Sequence, residues 1–579
     1  MPVRRSPPSA DASIRLGVFD GTHDAGAALC QGGRLLAAVS EERLSREKGA
    51  SGWPQRSVEA VLQTAGVDPA EVDAVAFAGM VNPNPLLRLA RGVQAGWRFD
   101  DANLWDPADW RGRLAEAAQL RSPFPRLRSD GWAARTWSPT IQARLQNSVH
   151  QQIPRLKAPL SLHDHHQSHA AAGWGTFGAE EGLVLVADGV GDGQALTVWR
   201  GRGAALWPVL AWPFPHSHGL LYATVTAMLG FRPFRHEGKV AGLSAHGDAD
   251  AVPVPWPFEG PAEARRLRPG LGPGLRRALA PLKNARREDV CAWLQRGLEA
   301  DLTALIDALI QRTGLGEIAL CGGVFANVRL NQAISERPGV TGLWIFPHMG
   351  DGGLAVGAAL LAGGLPTPEP LSTAALGPDL PEEGLRAALS RCPERRADPS
   401  PRAIAARLAA GQLVAICAGR SEFGPRALGQ RSILASPREL GVVDRLNAAL
   451  VRSPFMPFAP AVAEEQLAAA IDLPANARRA AQFMTITAPA TAALRATGPA
   501  AVHADGTARL QRVTADDHPL LHAILTEHHA LTGEIALLNT SFNLHEEPIV
   551  QGPEDALRSW RQAGLDALLL GDTLLERGA

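Results

Sequence analysis

The chain has few cysteines, no long apolar run and no excess of charge of one sign. Its five cysteines are scattered without a Cys-x-x-Cys pair, which argues against a disulfide framework and fits a reducing compartment. No apolar run reaches the length that a membrane-spanning helix needs. The formal net charge is −1, so no basic surface indicates nucleic acid as a partner. We therefore expect a cytoplasmic protein with neither a membrane nor a nucleic-acid partner.

Lysine is also scarce, whereas arginine is abundant. A chain of 579 residues is expected to form more than one domain. The first residues are rich in Pro and Ser and lack an apolar core, so we predict a disordered tail over 1–12 rather than a signal peptide. A Pro/Gly-rich connection over 362–380 then predicts domains at 13–365 and 366–579.

The stretch H-D-H-H-Q-S-H-A over residues 163–170 is the main chemical signal. It follows an apolar run and enters small residues, as a strand does when it turns into a helix. On such a helix His165 and His169 are four apart, so both imidazoles leave one face and can reach one metal ion. An ordinary pair of core or solvent-exposed histidines is the alternative.

Acidic ligands for such a site are present in two Gly-rich turns. Asp188 lies in V-A-D-G-V-G-D-G, and Asp351 lies in M-G-D-G-G. Imidazole and carboxylate ligands with open positions suit iron, manganese or zinc, and phosphate oxygens could complete the coordination sphere. We predict that His165, His169, Asp188 and Asp351 converge on one divalent metal.

An architectural repeat surrounds this motif. Residues 13–39 are typical of strand, polar turn, strand, Gly-Gly turn and strand, and the same plan recurs at 183–210. Two such halves build an actin-like ATPase domain, in which the polar turns face each other across a nucleotide cleft. Between them, the Trp-rich segment 81–155 predicts a helical insertion. That segment forms either a pocket wall for a bulky acceptor or the packing of an inserted subdomain.

A second glycine pair, Gly322-Gly323, opens a helix after a strand and lets a ligand approach the backbone, with Asn327 projecting from the first turns. Before it, residues 250–285 are rich in Pro, Gly and Arg and predict a surface loop, and residues 286–312 predict an amphipathic helix.

The segment G-R-S-E-F-G-P-R-A-L-G-Q-R-S-I-L over 419–434 sets arginines on a scaffold interrupted by glycines. In apolar surroundings, Arg420, Arg426 and Arg431 suit a bidentate grip on phosphate or carboxylate. A solvated basic loop is the alternative. Near the end of the chain, a strand finishes in N-T-S-F-N over 539–543, whose small polar groups could contact the polar edges of a ligand.

Taken in order along the chain, these motifs resemble the NodU/TobZ-type O-carbamoyltransferase family over about residues 14–575. The strings D-G-T-H-D-A-G-A-A-L, S-E-E-R-L-S-R-E-K, C-G-G-V-F-A-N and L-L-N-T-S-F-N-L-H-E-E-P-I-V contribute to the resemblance. It implies an α/β protein with an N-terminal actin-like (ASKHA-type) duplicated domain and a C-terminal YrdC-like α/β domain. It also implies that carbamoyl phosphate and ATP give a carbamoyl-adenylate, whose carbamoyl group passes to a hydroxyl, or less expectedly an amine, of a small natural product.

The same resemblance implies roles for single residues. The metal of the family is iron, expected as Fe(II), and its ligands match His165, His169, Asp188 and Asp351. His23 matches the general-base position, and imidazole is suited to accept a proton near neutral pH. The predicted carbamoyl phosphate-binding residues are Arg420, Arg426, Arg431, Asn539, Ser541 and Asn543. The predicted nucleotide-binding residues are Lys48, Lys239, Gly322, Gly323 and Asn327, with Mg²⁺ as an option for the phosphates of ATP.

Some positions depart from the family pattern. His236-Glu237-Gly238 replaces the acidic and aromatic residues that usually precede Lys239, and His246 replaces a Tyr. His163 and Asp164 add further candidate ligands ahead of the metal pair. An actin-like small-molecule kinase would explain the Asp-Gly turns but not the C-terminal motifs. A chaperone-type nucleotide-driven scaffold is a third alternative, and the neutral charge disfavours a fourth, a tRNA-directed transferase. The acceptor and the oligomeric state stay open, with a homodimer as one alternative.

Overall fold

The computed structural model describes residues 13–80, 88, 132–268, 270–451 and 458–577. The predicted tail over 1–12 and most of the predicted insertion over 81–155 lie outside these residues. Within the described part of the chain, no helix combines the length and the apolar character that crossing a bilayer would require.

The first sheet is formed by apolar, alanine-rich strands near the N-terminus. They are β1 (Ile14–Phe19), β2 (Gly26–Gln31), β3 (Arg34–Ser40), β4 (Ala74–Ala78) and β5 (Leu160–His163). The order is β3-β2-β1-β4-β5, with the first three strands antiparallel and β4 and β5 parallel to β1. The accompanying helices are α1 (Glu41–Ser45), α2 (Gln55–Ala65) and α3 (Trp132–Gln152). Helix α3 confirms helical structure in the described end of the insertion.

A second sheet repeats this plan. Its main strands are β6 (Glu181–Gly191), β7 (Gln194–Arg202), β8 (Ala205–Pro213), β11 (Glu317–Cys321) and β12 (Gly342–Ile345), and a separate small hairpin joins β9 (Phe258–Glu259) to β10 (Arg266–Leu267). The order is β12-β11-β6-β7-β8, again with three antiparallel strands followed by two parallel ones. The two sheets share one topology, which confirms the predicted duplicated α/β domain.

Two helices rich in Ala and Gly pack where the halves meet. Helix α4 (His165–Gly175) follows the last strand of the first sheet, and the helices of the second half are α5 (His218–Met228), α6 (Glu237–Leu243), α7 (Pro273–Leu279), α8 (Arg287–Thr313), α9 (Val328–Ser335) and α10 (Leu354–Leu361). Helix α10 contacts both α4 and β1. A Cβ atom on Gly357 would overlap the carbonyl oxygen of Ser168, and one on Gly17 would overlap that of Ala355. Small residues therefore let α4 and α10 approach closely, which brings together the chain segments of the candidate site.

The loop predicted over 250–285 is only partly a loop. It contains β9, β10 and helix α7, and it buries Phe258, Leu275 and Leu279 in the same core as α8. The prediction was wrong there because the abundance of Pro, Gly and Arg obscured the helical spacing of Leu275 and Leu279. The amphipathic helix predicted at 286–312 is confirmed as α8.

The C-terminal part forms its own α/β unit on an eight-stranded sheet in the order β13-β22-β21-β14-β15-β20-β16-β19. The strands are β13 (Arg395–Ala397), β14 (Val414–Cys417), β15 (Arg431–Ala435), β16 (Ala459–Ala463), β19 (Gln511–Val513), β20 (Leu537–Ser541), β21 (Ala567–Leu570) and β22 (Thr573–Glu576), and a separate pair joins β17 (Ala488–Pro489) to β18 (Thr507–Ala508). The helices are α11 (Glu382–Ser390), α12 (Pro401–Ala409), α13 (Gly441–Ala449), α14 (Leu467–Ala470), α15 (Arg478–Gln482), α16 (Ala492–Thr497), α17 (Pro519–Thr532) and α18 (Pro553–Ala563). The α/β fold class is thus confirmed for both parts of the chain.

Candidate metal centre

Helix α4 begins directly at the histidine motif. Asp164 is its N-cap, and its Oδ1 accepts a hydrogen bond of 2.7 Å from the backbone N–H of Gln167. The side chain of Asp192 accepts a second bond, 2.9 Å long, from the backbone N–H of His165. An acidic group at this end of the helix is favourable because it faces the positive end of the helix dipole. The helix start is therefore fixed, and with it the directions of the His165 and His169 side chains.

The two carboxylates arrive from separate elements. Asp188 lies in β6, where the pairing with β7 is irregular between Ala187 and Gly191, so the turn predicted at 188–193 begins later than expected. Asp351 is the first residue of a 3-10 turn, Asp351–Gly353, that leads into α10. Irregular backbone at these points directs both side chains towards α4.

The four predicted ligands lie together. His165 Nε2 is 3.4 Å from Asp188 Oδ2 and 3.5 Å from Asp351 Oδ1. His169 Nε2 is 3.3 Å and 3.6 Å from the same two atoms. One ligand atom from each of the four residues lies within 4.8 Å of the other three. The spatial convergence that the spacing predicts is therefore present, and binding of a metal there stays a prediction.

The electrostatics of this cluster are those of a site that needs a cation. Both imidazoles are buried, and the Nε2 atoms of both rings face the carboxylates of Asp188 and Asp351. Burial lowers the pKa of His165, but the carboxylates of Asp351 and Asp188 outweigh burial and raise it well above its usual 6.5. Burial raises the pKa of Asp188, yet hydrogen bonds from the two imidazoles bring it down to about 2. The donor set thus fits a divalent cation that would take the place of a proton.

Three glycines lie close to the cluster. A Cβ atom on Gly191 would overlap the ring of His165, and one on Gly323 would lie 3.2 Å from Asp188 Oδ1. Gly322 has φ +95° and its own Cβ would overlap the carbonyl oxygen of Ala187. The predicted glycine pair therefore does border the carboxylate of Asp188.

The remaining predicted nucleotide-binding residues are Asn327, Lys48 and Lys239, of which the first two contact other described side chains. Asn327 caps α9 through its side-chain oxygen and exchanges hydrogen bonds with the amide of Gln295. Lys48 Nζ lies 3.4 Å from Glu42 Oε1, and Lys239 is buried at the start of α6. Nucleotide binding by these residues stays a prediction.

His23 lies beside the cluster in the turn between β1 and β2. Its Nε2 is 3.8 Å from Asp351 Oδ2, and its Nδ1 is 3.1 Å from Asp24 Oδ2. The side chain is 40% exposed, so it borders both the cluster and solvent. Asp24 adopts φ +54°, a left-handed conformation that an Asp tolerates better than most residues.

Arg88, the one described residue within 81–131, forms a buried ion pair with Asp20 at the end of β1.

The three predicted arginines of the C-terminal part differ in their surroundings. Arg420 donates hydrogen bonds to the carbonyl oxygens of Gly377, Leu36 and Leu376, so it joins the two parts of the chain. Arg431 is fully buried and also donates to backbone carbonyls, although its Nη2 has no partner among the described residues. Arg426 is partly exposed on the same loop. The described bonds of Arg420 all go to backbone, so its geometry is that of a residue that joins chain segments.

The amide residues of β20 and the turn after it face the arginine loop. Asn539 donates to Gln511 Oε1 at 2.7 Å, and Asn543 donates to the carbonyls of Leu544 and Glu547. Ser541 pairs with Ser432 across the β15–β20 ladder. The side-chain oxygens of Asn539 and Asn543 are buried without a hydrogen-bond partner among the described residues. Two unpartnered acceptors suit a ligand that carries N–H donors.

The sequence interpretation missed one residue that orders the arginine loop and another that joins this loop to the metal centre. Glu422 is buried, and its Oε1 accepts hydrogen bonds from the backbone N–H groups of Leu428, Gln430 and Arg431. The ring of Phe423 lies 4.8 Å from that of His348, in the loop that leads to Asp351. A Glu and a Phe inside an arginine-rich motif were the only signal, and their partners are too distant in the chain to read from spacing.

Comparison with known proteins assigns the chain to a family. The family model for the carbamoyltransferase N-terminus matches residues 14–254 and 274–360, and the model for the carbamoyltransferase C-terminus matches residues 405–577. Nodulation protein NolNO of Sinorhizobium fredii is 31% identical over 575 residues, which covers 96% of this chain and 79% of that protein. Nodulation protein NolO of Bradyrhizobium diazoefficiens is 33% identical over 440 residues, covering 72% of this chain and 79% of that protein.

Among solved structures, full-length HypF in its phosphate- and nucleotide-bound form is 12% identical, with a TM-score of 0.34 over 61% of this chain and 55% of that chain. This likeness is too weak to add to the topology described above. The two family matches span most of both structural parts, and the relatives share about a third of the aligned residues. The chain therefore belongs to the carbamoyltransferase family, whose enzymes transfer a carbamoyl group.

Proposed function

We propose that this carbamoyltransferase uses ATP and carbamoyl phosphate to make a carbamoyl-adenylate, and then transfers the carbamoyl group to a hydroxyl of a small natural product. Atom balance fixes the first stage: carbamoyl phosphate, ATP and one water give carbamoyl-adenylate, pyrophosphate and inorganic phosphate. The second stage releases AMP. The observation that carries the proposal is the convergence of His165, His169, Asp188 and Asp351 beside His23.

A divalent metal, proposed as Fe(II), is held by the two imidazoles and the two carboxylates. The fit rests on four ligand atoms within 4.8 Å of one another and on two buried imidazoles that face two carboxylates. When bound, the metal supplies a positive charge for the phosphate of AMP as it departs. The chain itself contributes a largely buried site, since the side chains of Asp188 and Asp351 are only 16% and 12% exposed.

His23 is the proposed general base of the transfer. Its Nδ1–H donates to Asp24, which leaves Nε2 as the nitrogen that accepts the proton of the acceptor hydroxyl. The Nε2 atom faces Asp351, so the acceptor oxygen is deprotonated next to the metal ligands. Partial exposure of the ring gives the acceptor a route to it from solvent.

The C-terminal part holds carbamoyl phosphate in this proposal. Arg426 and Arg431 bind its phosphate, and the buried side-chain oxygens of Asn539 and Asn543 accept hydrogen bonds from its NH₂ group. Ser541, which pairs with Ser432 on the neighbouring strand, lies at the edge of the proposed carbamoyl phosphate site. The backbone of the glycine pair 322–323, beside the Asp188 carboxylate, is the proposed approach for the nucleotide.

The two stages are proposed to communicate through the contact between Phe423 and His348. Phe423 belongs to the arginine loop, and His348 belongs to the loop that positions Asp351. A buried junction of this kind keeps water from the reactive carbamoyl-adenylate.

The test is an incubation of the purified chain with ATP, isotopically labelled carbamoyl phosphate and a panel of small hydroxyl- and amine-bearing acceptors, read by mass spectrometry. We expect a labelled carbamoyl-adenylate without acceptor, and labelled carbamoyl acceptor with AMP when the right acceptor is present. A phosphorylated acceptor with release of ADP would contradict the proposal and favour the kinase alternative.

A further inference from the structure

Arg43 reaches from the N-terminal part of the chain into the arginine loop of the C-terminal part. It belongs to the short helix α1, which follows directly on β3. Its Nη2 donates a hydrogen bond of 2.9 Å to the carbonyl oxygen of Gly424. Only 3% of the residue is exposed, although a charged segment such as E-E-R-L-S-R-E-K would ordinarily face solvent.

The second terminal nitrogen of this side chain is left without a partner. Arg43 Nη1 is buried and makes no hydrogen bond to any described residue. The same is true of Nη2 of Arg431, whose other nitrogens hold backbone carbonyls. A buried guanidinium N–H group without an acceptor costs free energy, so both positions indicate that an acceptor is missing.

Charges of both signs surround Arg43 at the junction. The neighbouring Arg46 is paired with Asp555 at 3.3 Å. Burial lowers the pKa of Arg43, the carboxylates of Glu422 and Glu42 offset this in part, and the like charge of Arg431 adds to the lowering. The Oε1 atom of Glu422 is already occupied by backbone N–H groups, so it does not serve as the acceptor for Nη1 of Arg43.

Arg43 contacts the arginine loop at the point where that loop approaches the metal-centre loop. Gly424 has φ +134°, and a Cβ atom on it would lie 3.2 Å from the carbonyl oxygen of Pro347 and 3.8 Å from Cβ of His348. The carbonyl that Arg43 holds is thus on the segment of the arginine loop that contacts the metal-centre loop. Pro425 and Arg426, which follow it, are at least partly exposed, so a ligand can approach the loop from solvent.

We propose that Arg43 and Arg431 form an oxyanion site across the junction of the two parts of the chain, and that it binds the phosphate group of carbamoyl phosphate. The identity of the ligand rests on the function proposed above, whereas the oxyanion site rests on the two unpartnered nitrogens. In this arrangement the N-terminal part supplies one of the phosphate-binding residues. Carbamoyl phosphate therefore binds tightly only when the two parts are docked, which links formation of the carbamoyl-adenylate to a closed junction.

The test compares Arg43→Met with Arg46→Met by calorimetric titration of carbamoyl phosphate and of inorganic phosphate. Arg46 is a matched control because it is an arginine of the same segment that also contacts the C-terminal part, through the carbonyl oxygens of Pro548 and Ile549. We expect Arg43→Met to weaken binding of both anions about 10- to 100-fold, as for loss of a charge-assisted hydrogen bond, and Arg46→Met to leave it within about 3-fold. KM for ATP should be unchanged in Arg43→Met.

A thermal unfolding curve on each variant checks that the fold is kept. If Arg43→Met does not fold, Arg43→Lys keeps the charge but loses the planar fork, and is expected to weaken binding of both anions less than the Met variant would. Unaltered affinity for both anions in a folded Arg43 variant would overturn the inference. If the unaltered chain binds phosphate through Arg43 but makes no carbamoyl-adenylate, the inference stands and the proposed function is wrong.

Discussion

His165 Nε2 and Asp351 Oδ1 lie 3.5 Å apart, although one belongs to a helix after the first sheet and the other to a loop after the second. The packing of α10 on α4 accounts for this proximity, because Gly357 allows the two backbones to touch at Ser168. The cluster therefore depends on the contact between the two halves, and each half supplies part of the ligand set. A metal bound here would tie the halves together.

Replacing one imidazole should remove the metal. In His169→Ala we expect metal content to fall well below the one ion per chain of the unaltered protein, because one of the four ligands is lost and the remaining three must hold the ion alone. Elemental analysis of protein purified without chelator measures this. His163→Asn is the matched control: its Nε2 contacts Ser161 Oγ at 2.9 Å, and it is not among the four converging residues. Loss of metal in the control, or its retention in His169→Ala, would argue against the assignment.

The free energy of unfolding should respond to pH differently in the metal-free chain and in the metal-bound chain. In the metal-free chain the raised pKa of His165 contributes stability that is complete below its usual pKa of 6.5 and lost as pH rises through the raised value. The lowered pKa of Asp188 contributes stability that is present above its usual 3.8 and lost as pH falls towards about 2. Bound metal replaces the proton, so its stabilising effect should grow with pH by at most about 1.4 kcal/mol per pH unit for each proton displaced.

Denaturant unfolding at a series of pH values from acidic to alkaline, on chelated and metal-loaded protein, measures these free energies of unfolding. His165→Asn in the metal-free state isolates the contribution of that imidazole. A metal-free chain that gains stability relative to His165→Asn as the pH rises above neutral would contradict the expected sign.

Removing the proposed base should separate the two stages. In His23→Asn we expect transfer to the acceptor to slow by about 10²- to 10⁴-fold, as for loss of a general base, with carbamoyl-adenylate still formed at the original rate. Rapid-quench mass spectrometry follows both products in one experiment. Undiminished transfer would remove His23 from the base role, and loss of adenylate formation would place it in the first stage.

Arg420 and Arg426 should differ in what their removal does. Arg420→Ala loses hydrogen bonds to three carbonyl oxygens, and the free energy of unfolding should fall by about 2 kcal/mol while adenylate formation continues at low temperature. Arg426→Ala should abolish adenylate formation with little change in stability, because its side chain is partly exposed. Thermal unfolding and the adenylate assay together measure both effects; the opposite pattern would exchange the roles of the two residues.

The sequence was informative where a short-range pattern carries the structure. The spacing of His165 and His169 predicted a shared helix face, and the repeated strand–turn–strand plan predicted the duplicated sheets, because both are properties of consecutive residues. The convergence with Asp188 and Asp351 followed from their position in glycine-rich turns rather than from any distance that the sequence contains.

Local patterns carry no information about partners that are distant in the chain. Nothing near Arg420 in the sequence shows that it donates hydrogen bonds to the carbonyl oxygens of Leu36 and Leu376. Nor does the charged segment around Arg43 show that one of its side chains is buried against Gly424. Such roles depend on how the two parts of the chain dock, and this docking cannot be predicted from a short run of consecutive residues.

Detection of the carbamoyl-adenylate tests the central claim most directly. Labelled carbamoyl phosphate and ATP are mixed with the metal-loaded chain without acceptor, and the quenched reaction is analysed by mass spectrometry. We expect carbamoyl-AMP carrying the label, with pyrophosphate and inorganic phosphate released in equal amounts. Formation of ADP in place of pyrophosphate, or the absence of labelled carbamoyl-AMP while carbamoyl phosphate is consumed, would contradict the claim.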